Sequence, residues 1–164
     1  MRSIIVTGAA GNMGQAVVRR LSREGHRIHA VLGLGENSKV FSENPAAAGI
    51  QQQFLNLADE TVAEGYVKDL VVRDPSVDTA ICTVGGWQPG GLAETTGYEL
   101  EKMFKLNFST AYNIVRPLMD HFERQGRGQF VLVGARPAIN PAEAKNQVAY
   151  ALSKSLLFRL VEII

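Results

Sequence analysis

The sequence has little of what a cross-linked, metal-binding or nucleic-acid-binding protein needs. It contains a single cysteine, Cys82, in 164 residues, which excludes an intramolecular disulfide framework and a cysteine-based zinc site. Its 17 lysines and arginines nearly balance its 16 aspartates and glutamates. This balance gives no strong field for a nucleic-acid backbone or an anionic membrane, so neither is expected as a partner. The three histidines, His26, His29 and His121, are too scattered to indicate a metal site.

Long apolar runs are also missing. No stretch is long enough to cross a bilayer, and the apolar run that follows Met1-Arg2 is too short for a secretory signal peptide. Together with the lone cysteine, this predicts a protein of the reducing cytoplasm. The length and the apolar content of 46% fit one domain over residues 1–164 with a substantial core.

Short apolar runs alternate with segments of helical periodicity along the whole chain. The runs predict strands over 3–6, 27–32, 50–55, 78–83 and 130–133. The periodic segments predict helices over 13–21, from Asp59 or Thr61 to Arg73, over 100–122 with a bend at Pro117, and from about Tyr150 onward. Loops are expected over 33–45, 86–97 and 136–146. The alternation predicts an α/β protein with a doubly wound parallel sheet in a three-layer α/β/α arrangement. Such a sheet binds its ligand at the carboxyl ends of the strands.

Three glycines separate the first predicted strand from the first predicted helix at spacings of three residues. Gly8 suits a tight exit from the strand, Gly11 lets a pyrophosphate approach the backbone, and Gly14 lets the helix pack closely on the sheet. The free N–H groups at the start of that helix would face the anion. The turn therefore predicts a dinucleotide site, the alternative being a plain strand-to-helix turn. The residues expected to contact the cofactor here are Thr7, Gly8, Gly11, Asn12, Met13 and Gly14.

The loop after the second strand bears on the choice of cofactor. A carboxylate at the strand end would bind the hydroxyls of an adenosine ribose, whereas a cation would suit a 2′-phosphate. The strand ends at Leu32-Gly33, no carboxylate occurs before Glu36, and Lys39 follows. The expectation is therefore NAD(P)H with NADP slightly favoured over NAD, although Lys39 as a solvated loop residue fits the sequence as well.

Tyr150 and Lys154 lie four residues apart, on one face of the last predicted helix. A cation beside a phenol favours the phenolate and makes the tyrosine a proton donor or acceptor near neutral pH. The same spacing recurs at Tyr98 and Lys102, but that pair opens the preceding helix away from the binding edge and is interpreted as a surface feature. Asn107 is a polar residue on the apolar stripe of its helix, where its amide needs hydrogen-bond partners.

With these residues in these positions, the sequence resembles the short-chain dehydrogenase/reductase family, which has a Rossmann-like fold. The resemblance implies an NAD(P)-dependent oxidoreductase in which Tyr150 is the catalytic acid/base, Lys154 binds the nicotinamide ribose and lowers the Tyr150 pKa, and Asn107 completes a proton relay. It further implies that Asn56 and Leu57 lie near the adenine. The loop after the fourth strand would contact the cofactor through Val84, Gly85 and Gly86. A small-molecule carbonyl or ring substrate is expected. A homodimer or homotetramer that forms through the last two helices is also expected.

The chain departs from the usual pattern of this family in three places. The fourth strand is followed by Thr83-Val84-Gly85-Gly86-Trp87 rather than Asn-Ala-Gly, no serine or threonine occurs between Phe130 and Tyr150, and the glycine spacing is that of divergent branches. A subfamily, the dihydropteridine reductases, shares these features. Trp87 would then stack on a flat substrate or cover the loop from water.

The sequence also leaves a second function open. It ends in an apolar helical segment at 160–164, so the C-terminal part of the domain is expected to be missing. This ending and the absent serine favour a non-catalytic dinucleotide-binding protein, a redox sensor or scaffold, as the alternative to an enzyme.

Overall fold

Five parallel strands form one sheet in the computed structural model, which describes residues 1–41 and 49–164. The strands are β1 Ser3–Thr7, β2 Arg27–Leu32, β3 Ile50–Phe54, β4 Val77–Cys82 and β5 Gln129–Leu132, in the order β3-β2-β1-β4-β5. β1 lies at the centre and is buried along its whole length, which explains its continuous apolar sequence. The predicted strand bounds agree with the observed ones to within one residue at each end. The predicted loop 33–45 extends into residues outside the described ones.

Helices cover the two faces of the sheet unequally. They are α1 Asn12–Arg23, α2 Glu60–Arg73, α3 Gly97–Phe104, α4 Thr110–Gln125, α5 Pro141–Ala144 and α6 Val148–Ile163. One core cluster joins α2, α4 and α6 to the sheet through residues such as Leu70, Ile114 and Leu157. The other cluster centres on Val18 of α1 and includes Phe41, which lies in the loop after β2. The fold is therefore the expected doubly wound, Rossmann-like α/β sheet.

The observed helical segment differs from the helix predicted over 100–122 in where it starts and in having a π-helical turn in its middle. It begins earlier, at Gly97, because Thr96 and Glu99 form a capping box: the Thr96 hydroxyl accepts from the Glu99 N–H and the Glu99 carboxylate accepts from the Thr96 N–H. Between α3 and α4, residues Lys105–Ser109 form a π-helical turn. Pro117 lies inside α4, which continues to Gln125, and the bend expected there stays a prediction.

Two smaller expectations are corrected or decided. The segment 136–146 is not all loop, because it contains a 3₁₀ turn at Arg136–Ala138 and the short helix α5, whose first turn is capped by the Asn140 side chain. Of the two residues at which the sequence predicts the start of α2, Asp59 is the N-cap, since its carboxylate accepts from the Val62 N–H. Among residues 1–41 and 49–164, no helix has both the length and the hydropathy to span a membrane.

Candidate active site

The carboxyl ends of the strands surround a cavity of about 320 Å³. It lies where the strand order reverses, because β1 pairs with β2 on one side and with β4 on the other. Its lining includes Gly8, Gly33, Asn56, Leu57, Val84 and Thr110. Four of these were expected from the sequence. Gly33 and Thr110 were not, although Thr110 lies one turn beyond Asn107 on the same helical segment.

The glycine turn has the close backbone packing that its sequence predicts. Gly8 has a φ of +64°, a left-handed conformation that disfavours any side chain. A Cβ on Gly14 would lie 2.2 Å from the Gly8 carbonyl oxygen, so α1 begins against the backbone of the turn. Gly11 is the N-cap of α1 and caps it with no side chain, which leaves the first N–H groups of the helix for a ligand.

The other expected residues of this turn are placed in different ways. Asn12 and Met13 form the exposed first turn of α1, beside Gly11. Thr7 is fully buried at the end of β1, and its carbonyl oxygen accepts from both the N–H and the hydroxyl of Thr83. Thr7 can therefore hold the turn in place, but its side chain does not reach the open cavity.

Asn56 and Leu57 form the turn between β3 and α2. The Asn56 side-chain oxygen accepts from the Ala58 N–H at 3.2 Å, which fixes the turn. Leu57 is nearly buried, and its carbonyl oxygen accepts from the Asn113 amide at 2.9 Å. Asn113 is a buried residue of α4 that sequence reasoning missed, and it attaches this turn to the helix beside the cavity.

A carboxylate lies at the end of β2 although no acidic residue ends that strand. The Gly33 N–H donates to Oε2 of Glu36 at 2.6 Å, and the Glu36 N–H donates to the Gly33 carbonyl at 3.2 Å. The loop therefore folds Glu36 back onto the strand end. The sequence alone does not reveal this position, because Glu36 lies four residues beyond the strand end and the turn that returns it has no clear sequence pattern.

Asn107 is fully buried in the π-helical turn, and its side chain hydrogen-bonds to other groups of the protein. Its Oδ1 accepts from the Gly86 N–H at 2.9 Å, and its Nδ2 donates to the Gly86 carbonyl at 3.1 Å and to the Ser153 hydroxyl at 3.0 Å. Ser153 in turn donates to the Tyr150 carbonyl. Asn107 thus joins the loop after β4 to α6, and Ser153 is a participant that the sequence analysis missed.

Lys154 reaches the same loop from α6. It is only 5% exposed, and its Nζ donates to the Val133 carbonyl at 2.8 Å. A Cβ on Gly85 would lie 2.8 Å from Asn107 Oδ1 and 2.9 Å from Lys154 Nζ, so both side chains meet the backbone at a glycine. Burial lowers the pKa of Lys154 below its ordinary value.

Tyr150 lies one helical turn before Lys154 and is half-buried. Within the described part of the chain, its phenol hydroxyl makes no hydrogen bond, whereas Ser153 and Lys154 on the same helix do. The second tyrosine at this spacing, Tyr98, is 75% exposed, which confirms its interpretation as a surface residue. The two tyrosine–lysine pairs therefore differ in the structure, since Tyr98 is exposed and Tyr150 is half-buried.

The loop after β4 is attached to the start of α6. The Trp87 indole N–H donates to the Gln147 side chain at 2.7 Å, and Gly90 exchanges backbone hydrogen bonds with the segment around Gln147. The Trp87 ring is 62% exposed, which is more than a residue that covers the loop from water would show. After β5, Ala135 stands in the stretch that lacks serine, and the next residue, Arg136, pairs with Glu143. Within residues 1–41 and 49–164, no cluster of histidine, cysteine or acidic residues could hold a metal ion.

Comparison with known proteins decides the family. A family model described as short chain dehydrogenase matches residues 2–163. The chain belongs to the short-chain dehydrogenase family. Members of this family are oxidoreductases that bind NAD or NADP and act on small molecules, and they commonly form oligomers.

The chain is a divergent member of this family. It is 28% identical over 152 residues to 2,3-dihydro-2,3-dihydroxybenzoate dehydrogenase of Bacillus subtilis, covering 92% of this chain and 58% of that protein. It is 25% identical over 167 residues to dihydropteridine reductase of Dictyostelium discoideum, covering 98% and 64%. The solved structure of ElxO with NADP bound has a TM-score of 0.88 at 18% identity, covering 97% of this chain and 64% of ElxO. This chain therefore spans less than two thirds of the length of these relatives.

Proposed function

We propose that this short-chain dehydrogenase is an NAD(P)-dependent oxidoreductase in which Tyr150 is the catalytic acid/base. The observation that carries this proposal is the meeting of Asn107 and Lys154 at the Gly85-Gly86 backbone, beside the glycine turn and one helical turn from Tyr150. The family membership supports oxidoreductase chemistry over a non-catalytic dinucleotide-binding role. The turn with its close approach at Gly14, the uncapped start of α1 and the adjoining cavity together fit a dinucleotide.

Each part of the cofactor would have its own set of residues. The first turn of α1, with Gly8, Gly11, Asn12, Met13 and Gly14, would hold the pyrophosphate, with Thr7 supporting it from the strand. Asn56 and Leu57 would lie against the adenine, and Val84, Gly85, Gly86, Tyr150 and Lys154 would surround the nicotinamide and its ribose. When bound, the nicotinamide supplies the hydride acceptor or donor.

The chain itself would handle the proton. Lys154 lies one helical turn from Tyr150 on the same helix, and the Tyr150 hydroxyl, which has no partner among the described residues, would be left for substrate. Lys154 gives one of its three N–H groups to Val133, which leaves the others for a ribose hydroxyl. Both amide hydrogens of Asn107 are already used, so Asn107 positions the loop and α6 instead of carrying a proton on its side chain.

The substrate is proposed to be a small carbonyl compound or a planar ring. Trp87 supports the planar class, because its indole edge is fixed by Gln147 while most of its ring stays exposed beside the start of α6. The segment between Phe130 and Tyr150 contains no serine or threonine to bond a substrate carbonyl as serine does in the usual pattern. We therefore propose that the Tyr150 hydroxyl donates the hydrogen bond to the carbonyl oxygen of the substrate.

Homodimer or homotetramer formation through α3–α4 and α6 is also proposed. Phe104, Phe108 and Tyr112 form a row of contacting rings along one helical face, with centroids 5.2 and 5.7 Å apart, and Leu152 of α6 is half exposed. Light scattering at micromolar concentration measures this directly. For the compartment, the buried free thiol of Cys82 fits the cytoplasm expected from the sequence.

The experiment that tests the enzymatic proposal compares two tyrosine variants. Tyr150→Phe removes only the hydroxyl, so turnover with a panel of carbonyl and pterin-like substrates should fall by about 10² to 10⁴-fold, the usual contribution of a positioned acid. Dinucleotide binding, followed by the fluorescence of the reduced cofactor, should persist. The matched control is Tyr98→Phe, which should retain full turnover.

Two outcomes would contradict the proposal. Wild-type turnover in Tyr150→Phe would remove Tyr150 from the chemistry. Dinucleotide binding by the wild-type chain with no turnover of any substrate tried would favour the sensor or scaffold role instead.

A further inference from the structure

The Glu36 carboxylate occupies a position that the strand sequence alone leaves empty. Gly33 follows the last residue of β2, and it has no side chain to present to the adjoining cavity. A Cβ built on Gly33 would lie 3.4 Å from the carboxyl carbon of Glu36 and 3.5 Å from its Oε2. The carboxylate therefore lies beside the end of β2, close to where an acidic side chain at residue 33 would place its own.

The hydrogen bonds of the loop hold the carboxylate there. The Gly33 N–H donates to Oε2 at 2.6 Å, and the backbone turn from Gly33 to Glu36 closes the loop. Oε1 has no partner among the described residues, and a carboxylate oxygen accepts two hydrogen bonds, so acceptor capacity remains. Glu36 is exposed, and the Gly33 backbone to which it is hydrogen-bonded lines the cavity.

We propose that Glu36 is the residue that makes this chain select NAD over NADP. Resting on the proposed function, the inference is that the Glu36 carboxylate accepts hydrogen bonds from the 2′- and 3′-hydroxyls of the adenosine ribose. A 2′-phosphate would bring about two negative charges against the same carboxylate, and like charges at contact distance are strongly unfavourable. This reverses the slight preference for NADP that the spacing of Glu36 and Lys39 gives.

Two described cationic residues lie near this loop, and a cation that contacted the 2′-phosphate would favour NADP over NAD. Arg19 of α1 donates through Nη2 to the Gln15 side chain at 3.1 Å and to the Val40 carbonyl at 3.5 Å, so this nitrogen is already used within the protein. Lys39 lies three residues beyond Glu36, where its backbone N–H is bonded to the Asn37 side chain. If Lys39 received a 2′-phosphate, its removal would weaken NADP⁺ binding selectively.

The test is calorimetric binding of NAD⁺ and NADP⁺ to the 164-residue chain and its variants. The wild-type chain should bind NAD⁺ at least about tenfold more tightly, a difference of about 1.4 kcal/mol. Glu36→Gln keeps the shape but removes the charge, so the preference should fall to less than about threefold, mainly through tighter NADP⁺ binding. Glu123→Gln, at an exposed glutamate near the end of α4, should leave the ratio unchanged.

A rescue variant separates the carboxylate from other effects of the loop. Adding Gly33→Asp to Glu36→Gln restores a carboxylate beside the strand end and should restore the preference for NAD⁺. Lys39→Met should leave NADP⁺ affinity within about twofold of wild type.

Four results overturn the inference. Tighter binding of NADP⁺ than NAD⁺ by the wild-type chain, or an unchanged ratio in Glu36→Gln, rejects the role of Glu36 and leaves the proposed function standing. Selective loss of NADP⁺ binding in Lys39→Met assigns the specificity to Lys39. Failure of the wild-type chain to bind either dinucleotide rejects the proposed function itself and this inference with it.

Discussion

The two edges of the same parallel sheet are built in opposite ways. At the amino edge, the buried polar side chains Ser3, His29 and Asp74 bond to one another, and Arg27 joins them. At the carboxyl edge, the backbone is rich in glycine and surrounds a cavity, and the Tyr150 hydroxyl is left without a partner in the described part of the chain. Polar groups that satisfy one another stabilise a fold, whereas groups that face open space are available to a ligand.

The amino-edge cluster has the composition of a hydrolytic triad but not its geometry. Both the Ser3 hydroxyl and the Asp74 carboxylate contact the same ring nitrogen, Nε2 of His29, at 3.1 and 3.0 Å. In a Ser-His-Asp triad, the serine and the aspartate bond to opposite nitrogens of the ring. All three side chains are also buried, so the cluster is structural.

Asp74 is the centre of this cluster. Burial alone would raise the pKa of its carboxyl, but hydrogen bonds from Ser76, Arg27, Ser3 and His29 outweigh burial and hold the pKa far below its ordinary value. Lys154 at the other edge shows the reverse balance, since burial lowers its pKa and the opposing effect of Cys82 is smaller. The same sheet therefore stabilises the charged form of Asp74 at one edge and disfavours the charged form of Lys154 at the other.

The largest effect on stability is expected from Asp74→Asn. Oδ2 accepts from Ser3, Arg27 and His29 and Oδ1 accepts from Ser76, so either orientation of an amide places its NH₂ against a donor. The free energy of unfolding in urea should fall by about 3 kcal/mol, as expected when one partner of a buried charged network is lost. The control Asp69→Asn, on the exposed face of α2, should change it by less than about 0.5 kcal/mol. A loss below about 1 kcal/mol in Asp74→Asn would show that the amino edge does not stabilise the fold as described.

A smaller effect, on binding instead of stability, is expected from Gly11→Val. A Cβ at Gly11 meets only the Gly8 carbonyl, at 3.3 Å, so the fold should tolerate the change while the side chain blocks the pyrophosphate. Dinucleotide affinity should fall at least about tenfold, or about 1.4 kcal/mol, in a calorimetric titration. Gly14 is unsuited to this test, because its Cβ would collide with the turn itself.

The matched control for that variant is Gly65→Val, at a helical glycine with open space around its Cβ. It should leave dinucleotide affinity unchanged. Equal affinity in Gly11→Val and wild type would remove the glycine turn from the proposed binding site.

The smallest effect is a dependence of stability on pH that arises from His29. Burial lowers the pKa of His29 below 6.5, an effect that the hydrogen bond and charge of Asp74 partly offset and that the charges of Arg27 and Arg73 reinforce. Below about pH 6.5 the unfolded chain therefore binds a proton that the folded chain does not, and stability falls as the pH is lowered from about 7 toward the folded pKa. One proton limits this slope to about 1.4 kcal/mol per pH unit.

Urea unfolding at pH 7.5, 6.5 and 5.5 measures this slope, and His29→Gln should reduce it. An equal slope in wild type and His29→Gln would assign the pH dependence to other groups.

The sequence was most informative where the deciding interactions are local. The β-branched runs predict the strands within a residue, the glycine spacing predicts the turn, and four-residue spacing puts Tyr150 and Lys154 on one helical face. It was less informative where a cap or a turn overrides periodicity. The capping box at Thr96 starts α3 early, and the short turn after β2 brings Glu36 back to Gly33.

Long-range contacts decided the rest. Asn107 and Ser153 are 46 residues apart in sequence and meet only because α4 and α6 pack on the same face of the sheet. Ser3 and Asp74 are 71 residues apart and meet because β1 pairs with β4 at its amino end. No spacing in the sequence encodes either contact.

The sequence by itself determined the α/β class, the glycine turn and the Tyr150–Lys154 face, because each depends on residues within one turn or one strand. Only the tertiary structure decided which polar groups are used up and which are left open, since that depends on strand order and on what packs against each edge. The same physical cause, hydrogen bonding in a buried environment, closes the cluster around Asp74 and fixes Asn107 and Lys154 around Gly85. A stabilising cluster and a candidate active site therefore differ in whether a cavity adjoins the polar groups. The fold creates that cavity, and no local sequence pattern predicts it.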